Sequence, residues 1–161
     1  MISDIDFDVC RGIKWRANEA NRTGVPYVVA TMRIGGRRTS VYLHRFITQC
    51  PPQYKVDHRD HDTLNNQRNN LRVSSHVQNN ANREGWSESD YKGVGRARGK
   101  FRARIVIDGI ETYLGCFASA VDAAMAYDAA AYKQFGEFAW LNFPEHYPEH
   151  SHDIVENNPP F

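Results

Sequence analysis

Residues 56–83 read VDHRDHDTLNNQRNNLRVSSHVQNNANR, and this stretch decides the fold. Two short apolar pieces frame its polar centre, Tyr54–Val56 before it and Leu71–Val73 after it. Each is long enough only for a brief strand. Between them, Arg59 to Asn70 is rich in Asn, Asp, His and Arg, a polar composition that suits turns and loops. Ser74 or Ser75 offers a hydroxyl that caps a helix running to about Arg83. The expected order is strand, long loop, strand, helix.

The same stretch carries the groups that phosphodiester hydrolysis requires. A water must lose a proton near neutral pH, and histidine suits that task because its ordinary pKa lies near 6.5. Charge building on the phosphate and the leaving oxygen must be neutralised, which suits a hard divalent cation on oxygen ligands. Asp57 and His58 supply one ligand and one base from a single strand end, and Asn79 on the helix adds a second oxygen ligand. Waters and phosphate oxygens complete the shell. Adjacent residues of a regular strand point to opposite faces. Asp57 and His58 therefore meet on one phosphate only if the strand ends or twists there, as the loop from Arg59 allows.

In LHRFI at 43–47, VDH at 56–58, NNQRNNLRV at 65–73 and QNNANR at 78–83, the chain resembles the HNH homing endonucleases of phages and introns. The resemblance covers roughly residues 42–83. It implies a ββα-metal unit in which Asp57 and Asn79 are metal ligands and His58 is the general base. Asn70 holds the loop and orients that base. It also implies a divalent metal, Mg²⁺ being favoured by the oxygen ligands, and no small-molecule cofactor. The family often has Asn-Gly just after the catalytic His, where this chain has Asp60 and His61. A glycine there serves a positive φ that costs His more, and His61 becomes a possible extra ligand. His44 and Arg45 are shared with the family and are read as structural, with phosphate contact as the alternative.

Outward from this unit, Tyr27–Ile34 and Arg37–Leu43 flank Gly35-Gly36, the signature of a β-hairpin. A helix over Leu43–Thr48 follows and Pro51-Pro52 stops it. On the C-terminal side, EGWSESD at 84–90 reads as a linker. Three strands are then expected at Tyr91–Val94, Phe101–Ile107 and Thr112–Leu114, with turns at Gly99-Lys100 and Asp108-Gly109. Ser119 with Asp122 starts a helix rich in alanine, and Gly136 ends it. Small side chains let a helix lie close against a sheet. The fold class is α+β. Residues 1–85 form an N-terminal hairpin with the nuclease unit, 86–144 a three-stranded antiparallel sheet with one packed helix, and 145–161 an extended or disordered tail.

LGCF at 114–117, AAMAYDAAAYKQFG at 123–136 and LNF at 141–143 resemble the AP2 domain of plant transcription factors and phage endonucleases. That resemblance implies a sheet lying in the major groove of duplex DNA with the helix behind it. Strand alternation agrees. Phe101, Ala103 and Ile105 share an apolar face, and Arg102 and Arg104 share the other. Lys92, Arg96, Arg98 and Tyr113 complete the expected DNA-binding set.

Charge points the same way. Residues 11–104 hold 19 of the 20 Lys and Arg but 7 of the 19 Asp and Glu, a surplus of 12 within a chain of net charge +1. Such a basic segment is the footprint of a nucleic-acid binder. Cys10, Cys50 and Cys116 form no CxxC pair, so free thiols of a reducing cytosol are expected rather than a zinc knuckle. No apolar run approaches the roughly 20 residues of a membrane helix. The acidic start MISDIDFDVC lacks a signal-peptide core. The reading is a phage homing endonuclease of duplex DNA, acting in the host cytoplasm. Its rival is a DNA-binding regulator with a decayed nuclease unit.

Overall fold

The computed structural model describes residues 1–18, 24–83, 85 and 89–147. Most of the expected linker, and the tail from 148 onward with His150 and His152, lie outside the described residues. The chain divides into two compact units, Met1–His76 and Val77–Phe161.

The first unit opens with helix α1, Asp4–Cys10, an element the sequence reading does not contain. Strands β1 (Arg16–Asn18), β2 (Tyr27–Ile34) and β3 (Arg37–Tyr42) form an antiparallel sheet in that order. Gly35 and Gly36 both sit at positive φ, as a two-residue hairpin turn requires. Helix α2 spans Leu43–Thr48, within the expected bounds. Strands β4 (Lys55–His58) and β5 (Leu71–Ser74) pair antiparallel across the long loop. Strand β4 thus runs two residues further than the apolar piece suggested, because pairing with β5 carries polar Asp57 and His58 into the ladder. Cys10, Leu43, Ile47 and Leu71 form the core of this unit, with Trp15, Phe46 and Val56 packed against it. Asp6, almost fully buried, takes both Nε and Nη2 of Arg68 and so ties α1 to the loop.

Helix α3, His76–Ala81, crosses the division between the units. Its end belongs to the second unit, where the Ala81 carbonyl accepts from Lys92 Nζ at 2.8 Å and from Trp140 N at 3.2 Å.

The second unit contains strands β6 (Val94–Ala97), β7 (Lys100–Ile107) and β8 (Ile110–Phe117), antiparallel in that order, and helix α4, Ala120–Phe135. The first strand begins at Val94, where the sequence reading ends it. The cause is the turn. Arg98 and Gly99 both take positive φ and form a two-residue hairpin between Ala97 and Lys100. Gly93 precedes the strand at φ +76°, and a Cβ there would run into the Tyr127 ring. Asp108-Gly109 makes the second hairpin turn, as expected. Ser119 Oγ caps α4 by accepting from Asp122 N at 3.2 Å, and Gly136 ends it at φ 54°. Ala123, Ala124 and Ala131 are buried, with Ala103, Ile105 and Val94 among the buried sheet residues of the same cores.

Asp128 fastens the chain after α4. Its carboxylate accepts from Asn142 N, Asn142 Nδ2 and Phe143 N at 2.8–2.9 Å, and the Asn142 side chain bonds the Lys92 backbone in turn. Beyond Phe143, Pro144–His146 forms a 3-10 turn and Tyr147 packs on Tyr132, so order extends past the expected start of the tail. No described helix is long and apolar enough to cross a membrane.

Candidate active site

The β4–β5 ladder pairs Asp57 with Arg72 and His58 with Leu71. Paired residues share a face and neighbours alternate. Asp57 and Arg72 therefore leave one face, and His58 and Leu71 leave the other, toward α2. The ladder's last pair is His58–Leu71, so both residues stand at the strand end, but regular pairing through His58 keeps their side chains on opposite faces, without the early strand end or twist expected to bring them together. Both Asp57 and His58 are buried.

On the Asp57 face, Arg72 Nε and Nη2 each lie 2.7 Å from Asp57 Oδ2. A buried carboxylate needs such a partner, since an unpaired charge is costly in a low dielectric. Arg72 is a residue that reading the motifs missed. The signal was present: aligning Val56 with Val73 sets Arg72 opposite Asp57.

On the His58 face, α2 presents His44. The two imidazoles meet edge to face with centroids 5.3 Å apart, and Tyr27 and Tyr42 complete a ring cluster around them. His58 Nε2 and His44 Nδ1 are buried without hydrogen-bond partners among the described residues. Burial pushes the His58 pKa below its ordinary value. The Asn66 side chain and the Asp60, Asp57 and Asp62 carboxylates oppose that shift by favouring the charged form. The Asn66 amide oxygen is itself buried without a well-formed bond. Burial, with help from His58 and Arg45, takes His44 down to about 3. Both rings are therefore held toward the neutral state, in which an imidazole nitrogen accepts a proton. Arg45 turns away from this cluster and clasps the carbonyls of Cys50, Pro51 and Tyr54.

Asn70 closes the loop. Its Nδ2 donates to Asp60 Oδ1 and to the Asn65 carbonyl, each at 2.8 Å, and its Oδ1 accepts from Asp60 N at 3.0 Å. Arg59 N donates to the Asn70 carbonyl. Burial raises the Asp60 pKa, but donation from Asn65, Asn70 and the Asp62 amide outweighs it, so the net shift is downward. His61 sits at φ 63°, the conformation for which a glycine is suited, and its N–H bonds the His58 carbonyl. Asn79, half-buried, lies on α3 in the second unit. Among the described residues, no three His, Cys, Asp or Glu side chains converge as a metal cage.

The sheet of the second unit sorts the expected DNA-binding residues. Arg102 and Arg104 are exposed on the face away from α4, paired with Cys116 and Tyr113. Tyr113 is 62% exposed on that face. A bulge leaves Leu114 outside the pairing, because Ala103 pairs with Gly115 and Arg104 with Tyr113. Arg104 Nη1 is 2.7 Å from Glu111 Oε2. Arg98 lies in the exposed hairpin turn. Two residues stand elsewhere. Arg96 pairs with Phe101 and sets its guanidinium over that ring, on the helix side of the sheet. Lys92 is half-buried and donates to the Ala81 and Arg83 carbonyls. Burial lowers its pKa to about 8, against the pull of Asp128.

Residues 41–81 match the family model described as HNH endonuclease. The chain is 36% identical over 107 residues to the uncharacterized HNH endonuclease L560 of Acanthamoeba polyphaga mimivirus, covering 62% of this chain and 56% of that protein. It is 36% identical over 74 residues to the H-N-H endonuclease F-TflI of Escherichia phage T5, covering 39% of this chain and 38% of that protein. The chain thus spans about half or less of the length of these curated relatives. No solved structure matches.

Proposed function

We propose that the chain is a metal-dependent endonuclease that hydrolyses phosphodiester bonds in duplex DNA, on the support of the match of residues 41–81 to the HNH endonuclease family model. The observation that carries this reading is His58 Nε2. It is a buried imidazole nitrogen with no partner among the described residues, at a strand end and one residue after a buried carboxylate that leaves the opposite face. Buried polar atoms are normally satisfied, so an orphan at such a place fits a site completed by a bound group. In this reading His58 takes a proton from the attacking water, and Asn70 fixes the loop that frames it. Asp57 and Asn79 would hold the metal. One carboxylate and one amide oxygen as the expected donors suit a hard ion that keeps several waters, and Mg²⁺ is such an ion. When bound, it neutralises charge on the phosphate and the leaving oxygen.

The second unit is read as an AP2-like DNA-binding module. Its support is the antiparallel sheet backed by α4, with Arg102, Arg104 and Tyr113 on the open face and Arg98 at its hairpin. Lys92 and Arg96 belong to the expected set as well, though Lys92 also binds carbonyls and Arg96 also covers a ring. The origin of the relatives, one from a mimivirus and one from a phage, suits a phage homing endonuclease.

One observation favours the rival, a regulator with a decayed nuclease unit. Arg72 already occupies Asp57 Oδ2 with a positive charge. Supercoiled plasmid incubated with the protein in Mg²⁺ or in EDTA separates the two. Nicked or linear product in Mg²⁺ alone is expected, and its absence at saturating protein would leave the rival standing.

A further inference from the structure

The first unit contains a surface that neither the metal site nor the second unit's sheet uses. Strand β1 pairs with β2 only at Tyr27, Val28 and Val29. The β2–β3 ladder continues alone to the Ile34–Arg37 pair. From Ala30 outward it is a two-stranded ribbon. Along one face run Tyr27, Val29, Thr31 and Arg33, with Tyr42, Ser40 and Arg38 on the partner strand. Arg33 and Arg38 are direct cross-strand neighbours. Both are exposed, as is Arg37 beside them, and none of the three has a hydrogen bond or ion pair among the described residues. No Asp or Glu occurs between Gly24 and Val56.

Like charges directly opposite on a ladder destabilise it. The isolated fold gains nothing from the Arg33–Arg38 pair, whereas a polyanion would offset the repulsion. Guanidinium and hydroxyl groups in one stripe are the donors that contact phosphates. A two-stranded ribbon also matches the width of the DNA major groove. At its inner end the stripe reaches Tyr42, whose ring lies 5.4 Å from that of His44, which in turn packs on His58.

We propose that Thr31, Arg33, Arg38 and Ser40 form a phosphate-contacting track for duplex DNA that leads from the ribbon to the His44–His58 cluster. The proposal rests on the nuclease reading for what lies at the track's inner end. Four residues separate Tyr42 from Arg38, roughly 14 Å of strand at about 3.4 Å per residue. That distance corresponds to about four base pairs of duplex. The ribbon therefore contacts backbone about four base pairs outward from the stripe's inner end at Tyr42.

The test uses the full chain in EDTA, so that binding is read without cleavage. Affinity for a labelled duplex is titrated at several salt concentrations for wild type and for Arg33→Gln, Arg38→Gln. Each lost phosphate contact lowers the log–log salt slope by about 0.9, so a fall of about two is expected. The protected footprint should shorten by about four base pairs on one side only. Thermal unfolding should be unchanged or slightly raised, since the change removes a repulsion. The charge-conserving Arg33→Lys, Arg38→Lys variant should keep the slope. An unchanged slope and footprint in the folded Gln variant overturns the track, as does a loss seen with polyglutamate but not with duplex. The two failures are separable: a wild type that never cuts removes the nuclease reading, whereas an unchanged slope in EDTA removes the ribbon's role.

Discussion

Arg72 holds Asp57 from directly across the β4–β5 ladder, with two guanidinium nitrogens 2.7 Å from one carboxylate oxygen and both side chains buried. The pair joins stability to chemistry, because Asp57 is also the residue proposed to bind metal. Breaking a buried pair from one side leaves an uncompensated charge and typically costs about 3–5 kcal/mol. Arg72→Met should lose stability in that range, and Asp57→Asn with Arg72→Met should lose clearly less than the two single changes added together. Urea unfolding of the four proteins gives the cycle. Additive losses would show that the pair contributes nothing as a pair.

His58→Ala should lower cleavage by about 10²–10⁴, the usual range for loss of a general base. Duplex binding in EDTA should stay within a few-fold of wild type, since the ring touches aromatic neighbours and no phosphate-binding cation. Single-turnover cleavage and anisotropy on the same preparations provide the check. If cleavage persists within a few-fold, the base lies elsewhere, and His61 is the next residue to change.

His44 makes the first unit sensitive to acid. Burial takes its folded pKa to about 3, against about 6.5 in an unfolded chain. Between those values the unfolded state binds a proton that the folded state refuses, so stability falls as pH drops from 6.5 toward 3. Over the whole window the loss reaches about 5 kcal/mol at 1.36 kcal/mol per pKa unit. His44→Phe keeps an aromatic ring among Tyr27, Tyr42 and His58 and removes the titration. Its stability should fall less steeply by about one proton's slope in that window. Denaturation midpoints measured from pH 7 to 4 decide it, and parallel lines for the two proteins would sink the idea.

What the sequence disclosed was mostly local. The helix Leu43–Thr48 and the turns at Gly35-Gly36 and Asp108-Gly109 follow from residues that act within a few positions of themselves. The strain at His61 was legible because a glycine is the ordinary occupant there. What stayed hidden depends on partners far along the chain. α1 forms where MISDIDFDVC gives no strong pattern, because Asp6 is satisfied by Arg68, 62 residues on. Arg72 looked like one more basic residue until the ladder register set it against Asp57. Lys92 and Arg96 read as DNA contacts by charge, yet one donates to carbonyls at the end of α3 and the other covers Phe101. Composition gives the sign of a side chain, but only packing gives its direction.

The last prediction concerns the open face of the second sheet. Arg102 and Arg104 share it, but Arg104 is paired with Glu111 at 2.7 Å, both about half-exposed. An exposed pair of this kind contributes only about 0–1 kcal/mol to stability, so cutting it should not unfold the unit. Its larger effect is on the field that DNA meets, since a carboxylate beside the arginine opposes a phosphate. Glu111→Gln should therefore tighten duplex binding and steepen its salt dependence by up to about one log–log unit, as a freed guanidinium adds a phosphate contact. Arg102→Gln should flatten the dependence by about the same amount. Arg104→Gln alone should weaken binding less than Arg102→Gln does, because its charge is already partly neutralised. The measurement is a duplex titration in EDTA at several salt concentrations for all three variants. If Glu111→Gln leaves affinity and slope unchanged while Arg102→Gln weakens binding, Arg104 does not reach phosphate. If none of the three moves the slope, the sheet face does not hold DNA, and the module's proposed role is wrong.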